Sequence, residues 1–210
     1  ETTQGNWHNV LNSLPEEFLE DRLYTVGVDN PIFEATWYDV VEFCNALSEM
    51  EGFDPYYLLT DVRKSPESRS IKQARVSLLG GTGYRLPRET EWEYACRAGT
   101  KTTWSFGDDE KALGDYAWYR ESAWDIDERY AHQVELKKPN AFGLYDMHGN
   151  VIEWCHDYYE EHYYKQSPEK DPPGPASGSS RVLRGGSWPD YTRDSRSADR
   201  LGGGAVRRDF

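Results

Sequence analysis

Thirty aromatic side chains (eight Trp, fifteen Tyr and seven Phe) are set in a chain of 210 residues whose mean hydropathy is −0.87. A polar average taken alone suits disorder, but disordered chains are poor in large rings, because rings drive collapse. The two properties are reconciled by a loop-rich globular domain with an aromatic core, and the length is sufficient to bury one. No apolar run approaches the roughly 18 residues that would span a bilayer.

Acidic residues outnumber basic ones 37 to 24, a formal net charge of −13. That balance argues against nucleic acid or an anionic membrane as partner, since both require a basic footprint. The charge is uneven: residues 1–60 hold twelve acids and one base, Arg22, whereas residues 181–210 hold seven Arg against four Asp. The acidic first third reads most simply as a solvated face. Cys44, Cys96 and Cys155 are too few and too scattered for a disulfide framework or a zinc knuckle, and are expected to be small buried hydrophobes. With an odd cysteine count and no leader to read, the compartment stays open.

Three helices are legible. Thr3 can N-cap one running to Leu11, with Trp7, Val10 and Leu11 on a common face. Thr36 can cap a second with Asp39 as its capping-box partner; Val40, Phe43, Cys44, Leu47 and Met50 follow at helical spacing, and Gly52 ends it. The third follows Leu86-Pro87 and stops at Gly99, with Glu89, Glu91 and Glu93 complementing the dipole at its start. Residues 61–76, charged and without period, are expected to be an exposed loop, as is the Pro/Ser/Gly run 168–180. Arg181–Arg184 alternates like a short strand. Gly202-Gly203-Gly204 lacks the context of a phosphate loop, and no Ser-His-Asp order is defensible from spacing.

The information concentrates in a few strings: Gly83-Tyr84-Arg85-Leu86-Pro87 followed by Glu91-Trp92-Glu93-Tyr94-Ala95, the block Gly143-Leu144-Tyr145-Asp146-Met147-His148-Gly149-Asn150-Val151 leading to Glu153-Trp154, Arg184-Gly185-Gly186-Ser187-Trp188, and Arg196-Ser197-Ala198-Asp199-Arg200. Asp146 and Glu153 flank the Gly149-Asn150 turn, a spacing that could fold two carboxylates and one or two backbone carbonyls onto a hard cation. Equally, Asp146, Asn150 and Glu153 could serve only to satisfy loop backbone groups.

Together these strings resemble the formylglycine-generating-enzyme, or sulfatase-modifying-factor, family, a branch of the C-type-lectin-like fold, and the resemblance covers nearly the whole chain. It implies an α+β fold: a twisted antiparallel sheet with a few helices and long loops, in a single domain over residues 1–210. Both ends read as trimmed, so further domains are expected in a longer, bacterial-type protein. The family's structural calcium loop would fall on Asp146 and Glu153 by side chain and on Gly149 and Val151 by backbone carbonyl. Its other calcium site would begin at Trp118-Tyr119, and Trp is no ligand, so a second ion is not expected.

Enzymes of this family hold copper(I) on two thiolates just after Gly-Gly-Ser. Soft copper(I) is poorly served by oxygen ligands. Here Trp188 to Arg196 contains no cysteine; Asp190, and Asp194 or Ser195, stand in those places. No copper is therefore expected. The iron-dependent sulfoxide synthases that share the fold rely on a histidine triad and a helical partner domain, and His8, His132, His148, His156 and His162 show no such spacing. An oxidoreductase using other ligands or a partner domain remains the alternative. What the resemblance favours is recognition of a protein or a small polar ligand by Trp188, Asp190, Tyr191, Arg193, Asp194, Ser195, Arg196, Asp199 and Arg200, with Arg207 and Arg208 beyond. The same segment is similar to the variable region of retroelement-diversified C-type-lectin-like proteins. Aromatic and Arg side chains suit such a surface, bringing area and directed donors at low entropic cost.

Overall fold

The structure, a computed structural model, describes residues 1–14, 27–66 and 70–208. Among the described residues the three α-helices are those expected from the sequence, accompanied by short 3-10 turns that were not. α1 (Gln4–Leu11) is N-capped by Thr3, whose hydroxyl accepts the Asn6 N–H. α2 (Trp37–Met50) carries the full Thr36/Asp39 capping box, which satisfies two donors that a helix start otherwise leaves unpaired. α3 (Glu89–Arg97) ends with Ala98 and Gly99 both at positive φ. Between α1 and α2, Trp7 stacks on Phe43 with ring centroids 4.8 Å apart.

Two antiparallel sheets complete the frame. One is a two-stranded ribbon of β1 (Tyr57–Lys64) and β2 (Ile71–Leu78). The other has the order β3–β4–β5, from β3 (Glu153–Tyr158), β4 (Ser180–Arg184) and β5 (Leu201–Gly204). The ribbon corrects the expectation of a loop at 61–76. Its strands pair from Tyr57↔Leu78 to Lys64↔Ile71 and break register beside Asp61, a residue at φ 54°. Most of its side chains are exposed on both faces, so no apolar alternation marks it; backbone pairing makes it a strand pair. The connection 168–180 is irregular up to Ser180, as expected.

The core is aromatic. Trp37 is wholly buried among Val41, Cys44, Tyr57 and Leu86, and its indole N–H donates to the Cys155 carbonyl at 3.0 Å. Trp154 returns the link from β3, donating to the Ala35 carbonyl at 3.0 Å. Trp92 leads a second cluster with Cys96, Met147, Cys155 and Val182. All three cysteines are free and buried, as expected.

Glu89, Glu91 and Glu93 do more than complement the α3 dipole. Glu91 pairs with Arg85 and also accepts the Arg88 N–H. Glu93 pairs with Arg97 and Arg184. Glu89 is buried inside the molecule beside Arg184 and Arg200. Among the described residues no helix is long and apolar enough to cross a membrane.

Candidate functional site

The loop after Gly143 is held by side-chain-to-backbone bonds. Asp146 and Asn150 both adopt positive φ, a conformation that Asp and Asn tolerate better than most residues. Asn150 is fully buried; its Oδ1 accepts the His132 N–H, and its amide donates to the His132 carbonyl and to Glu1 Oε2. Glu1 Oε1 in turn accepts the Val151 N–H. A Cβ on Gly149 would lie 2.1 Å from the Trp118 carbonyl oxygen, so the close approach of loop and backbone requires glycine there. His148 is buried and neutral in character: Ser105 N–H donates to its Nε2, its Nδ1 faces the Ser195 carbonyl at 2.9 Å, and burial pulls its pKa down to about 4.

The two readings of the loop turn on different atoms. Asn150 spends its amide on backbone groups. Asp146 Oδ2 accepts the Glu135 N–H at 2.9 Å, while its Oδ1 is buried and makes no hydrogen bond. Burial pushes the Asp146 carboxyl up from its usual range, with Glu153 and Glu135 adding repulsion. Glu153 Oε2 accepts the Trp92 indole N–H at 2.6 Å. An orphaned buried carboxylate oxygen beside further acids is the environment that a hard cation would relieve. Among the described residues no three His, Cys, Asp or Glu side chains are grouped to hold a metal; a cation here would rest on two carboxylates plus the Gly149 and Val151 carbonyls.

The segment after Ser187 is tied to this loop. Trp188 N–H donates to the Asn150 carbonyl at 2.9 Å, and its ring packs beside Phe33, Ala131 and Val151. Two stretches distant in sequence meet at Trp188 and Asp190. Trp124 stacks on Trp188, centroids 5.3 Å apart, and Arg120 N–H donates to the Asp190 carbonyl at 2.8 Å. The Arg120 guanidinium lies 4.7 Å from the Tyr191 ring and 5.9 Å from Trp124. Arg129 covers Trp124 at 5.0 Å, and Arg193 lies 5.3 Å from Tyr191. The result is a run of alternating rings and guanidinium groups from Arg129 to Arg193, in which Tyr191 is 52% exposed. Arg120, Trp124 and Arg129 were not among the sequence candidates; the density of Trp and Arg over 118–129 was the available signal.

The nine expected ligand-facing residues divide. Tyr191, Arg193 and Arg196 are exposed, and Trp188, Asp190, Asp194 and Asp199 half-buried. Asp190 accepts the Ser187 hydroxyl at 2.6 Å, and Asp199 pairs with Arg196; burial raises both carboxyls. Ser195 is wholly buried under the loop. Arg200 turns inward to Glu89 and lies over Tyr164. These last two therefore support the surface from beneath.

Copper(I) does not fit. Cys44, Cys96 and Cys155 lie in the core rather than after Ser187; burial pushes the Cys44 and Cys96 thiols up to about 12 and raises the Cys155 thiol well above its usual value. None is a ready thiolate.

An α+β frame with small antiparallel sheets, few helices and loops carrying the exposed chemistry fits a C-type-lectin-like domain. Residues 1–209 match the sulfatase-modifying factor enzyme 1-like domain, and the chain belongs to that family. It is 32% identical over 208 residues to the chaperone protein LppX of Paenibacillus barcinonensis, covering 90% of this chain and 67% of that one. It is 40% identical over 119 residues to the formylglycine-generating enzyme of Streptomyces coelicolor, covering 50% of this chain and 36% of that protein's length. Among solved structures, Treponema denticola variable protein 1 superposes with a TM-score of 0.80 at 33% identity, covering 100% of this chain and 78% of that one. PvdO from Pseudomonas aeruginosa does so with 0.66 at 25% identity, covering 88% and 60%.

Proposed function

We propose that this domain is a recognition module that binds a protein or a small polar ligand through Trp188, Tyr191, Arg193 and Arg196, together with Arg120, Trp124 and Arg129. The observation that carries the reading is the exposed alternation of Arg and aromatic side chains across two distant segments, the composition that dominates binding hot spots. The likeness to a variable protein supports it, as does the lack of cysteine after Ser187, where the family's copper enzymes keep theirs. In this reading the domain is one part of a longer protein. The 146–153 loop holds a structural calcium through Asp146, Glu153 and the Gly149 and Val151 carbonyls; the ion would neutralise crowded carboxylates and brace the loop on which Trp188 hangs.

The reading is tested by selecting displayed random peptides on the immobilised domain. Binders should be lost with Tyr191→Ala or Arg193→Ala and kept with Arg63→Ala on the ribbon; binders indifferent to the first two overturn it. A second assay offers copper(I), oxygen and a Cys-x-Pro-x-Arg peptide, with mass spectrometry as readout. No thiol-to-aldehyde conversion is expected, and conversion would replace recognition with catalysis.

A further inference from the structure

Arg181, on β4, is half-buried and feels the Asp157 charge without pairing with it. Its guanidinium carbon lies over two rings, 3.8 Å from the centroid of Trp37 and 3.6 Å from that of Tyr158. One N–H is accounted for, Nη1 donating to the His156 carbonyl at 2.7 Å. Among the described residues Arg181 forms no ion pair, unlike Arg184 and Arg200. The Asp157 carboxylate is engaged elsewhere, accepting the Glu89 N–H at 2.7 Å.

The same arginine lines a cavity of about 340 Å³ between the start of α2, the β1–β2 ribbon and the second sheet, with Tyr38, Asp61, Gln73, Arg75 and Tyr158 around it. Burial here costs the cation solvation, and burial lowers the Arg181 pKa from its usual value. Ring faces offset part of that cost, and among the described residues the guanidinium's one hydrogen bond to protein is that of Nη1 to the His156 carbonyl. The N–H groups of a guanidinium lie in its plane, so arginine takes a carboxylate edge-on through two parallel hydrogen bonds. The cavity's other charges set the ligand's own: Asp61 lies at the cavity wall with Arg75, 3.6 Å away, as its partner, which leaves one cation for one anionic group. A multiply charged phosphate would face Asp61 uncompensated.

We infer that this cavity is a binding site for a small organic monocarboxylate, held edge-on by Arg181 between Trp37 and Tyr158. It uses none of the residues of the proposed recognition surface and stands or falls separately from it.

The test titrates sodium benzoate, and inorganic phosphate in parallel, into the full chain, followed by tryptophan fluorescence and by melting temperature. Benzoate should bind saturably with millimolar or tighter affinity and raise the melting temperature, and phosphate should not. Arg181→Lys keeps the charge but loses the fork, and should weaken benzoate by about tenfold or more. Should Arg181→Lys not fold, Gln73→Glu supplies the same information from an exposed ribbon position: a second carboxylate at the cavity should abolish benzoate binding without unfolding the protein. The inference is overturned if benzoate shows no saturable binding to the unaltered chain. It is also overturned if phosphate binds as well, or if Gln73→Glu binds benzoate undiminished.

Discussion

Arg200 reaches back across 111 residues of chain to Glu89, its Nε 2.5 Å from Oε1, and Glu89 is 2% exposed. Arg184, with no exposed side-chain surface, lies 3.6 Å from the same oxygen and donates to Glu93 at 2.6 Å. Two cations thus converge on one buried carboxylate, joining the start of α3 to β4 and to the segment before β5. Breaking a buried ion pair from one side strands the remaining charge at a cost of about 3–5 kcal/mol. Glu89→Ala should lose stability in that range by urea denaturation. Adding Arg200→Met should recover part of it, since one of the two stranded charges is then removed; a loss under about 1 kcal/mol would mean that water reaches the site.

Asp146 carries the calcium reading. Asp146→Asn preserves shape and the oxygen that accepts the Glu135 N–H, but removes the charge. The unaltered domain should melt higher in calcium than in chelator. A ligand at a hundredfold excess over its Kd adds about 2.7 kcal/mol to stability. Asp146→Asn should melt at one temperature in both conditions. Equal melting of the unaltered domain with and without chelator would return the loop to the second reading, in which its polar groups serve the backbone alone.

His156 predicts a pH dependence. Burial, with the Arg181 cation adding to it, pulls the ring's pKa down to about 4, and Tyr57 hydroxyl lies 3.1 Å from Nδ1. In the unfolded chain histidine takes up its proton near pH 6.5. Between those values the unfolded state holds a proton that the folded state lacks, so this group contributes a loss of stability as pH falls, and nothing above about pH 6.5. Asp157 opposes it: burial raises its carboxyl to about 6, so the folded state holds the extra proton between there and the ordinary value of 3.8. Urea midpoints taken at about pH 7 and about pH 4.5 should fall less for His156→Gln than for the unaltered chain, and more for Asp157→Asn. Parallel falls in all three would place the acid sensitivity elsewhere.

Tyr191 separates recognition from folding. Its ring is half in solvent and touches Arg120 and Arg193, contacts worth about 0.5–1 kcal/mol at exposed sites. Tyr191→Ala should therefore change stability by no more than about 1 kcal/mol while lowering affinity for selected peptides by about tenfold or more. Trp188→Ala should cost more in stability, because Trp188 packs on Trp124 and over Val151. A Trp124/Trp188 double-mutant cycle should return a coupling of about 0.5–1.5 kcal/mol.

What could be read from sequence was what is local. The Thr36/Asp39 box spans three residues and announces α2 by itself. The 57–78 ribbon could not be read that way, because its side chains face water on both sides and leave no periodic mark. Glu89 looked like a helix-start acid, since nothing near it in sequence names Arg200 as its partner. The candidate surface was half legible: Trp188 to Arg196 announced themselves, but Arg120 and Trp124 join them through a backbone bond, a cation–π contact and a ring stack that folding creates. The loop's Asp146 and Asn150 were singled out together, yet their division of labour depends on which oxygen is left without a donor.

The three interior thiols divide the molecule for an observer. Cys44 belongs with Trp37 and Tyr57, whereas Cys96 and Cys155 belong with Trp92 and Val182. Buried and protonated, none can meet an alkylating reagent until its own cluster opens. Pulse labelling followed by mass spectrometry of tryptic fragments would therefore time the opening of each half of the interior without an added probe. Simultaneous modification of all three would mark the α2 and α3 halves as one cooperative unit; earlier labelling of Cys44 would mark the α2 half, with its ribbon, as the first to come away.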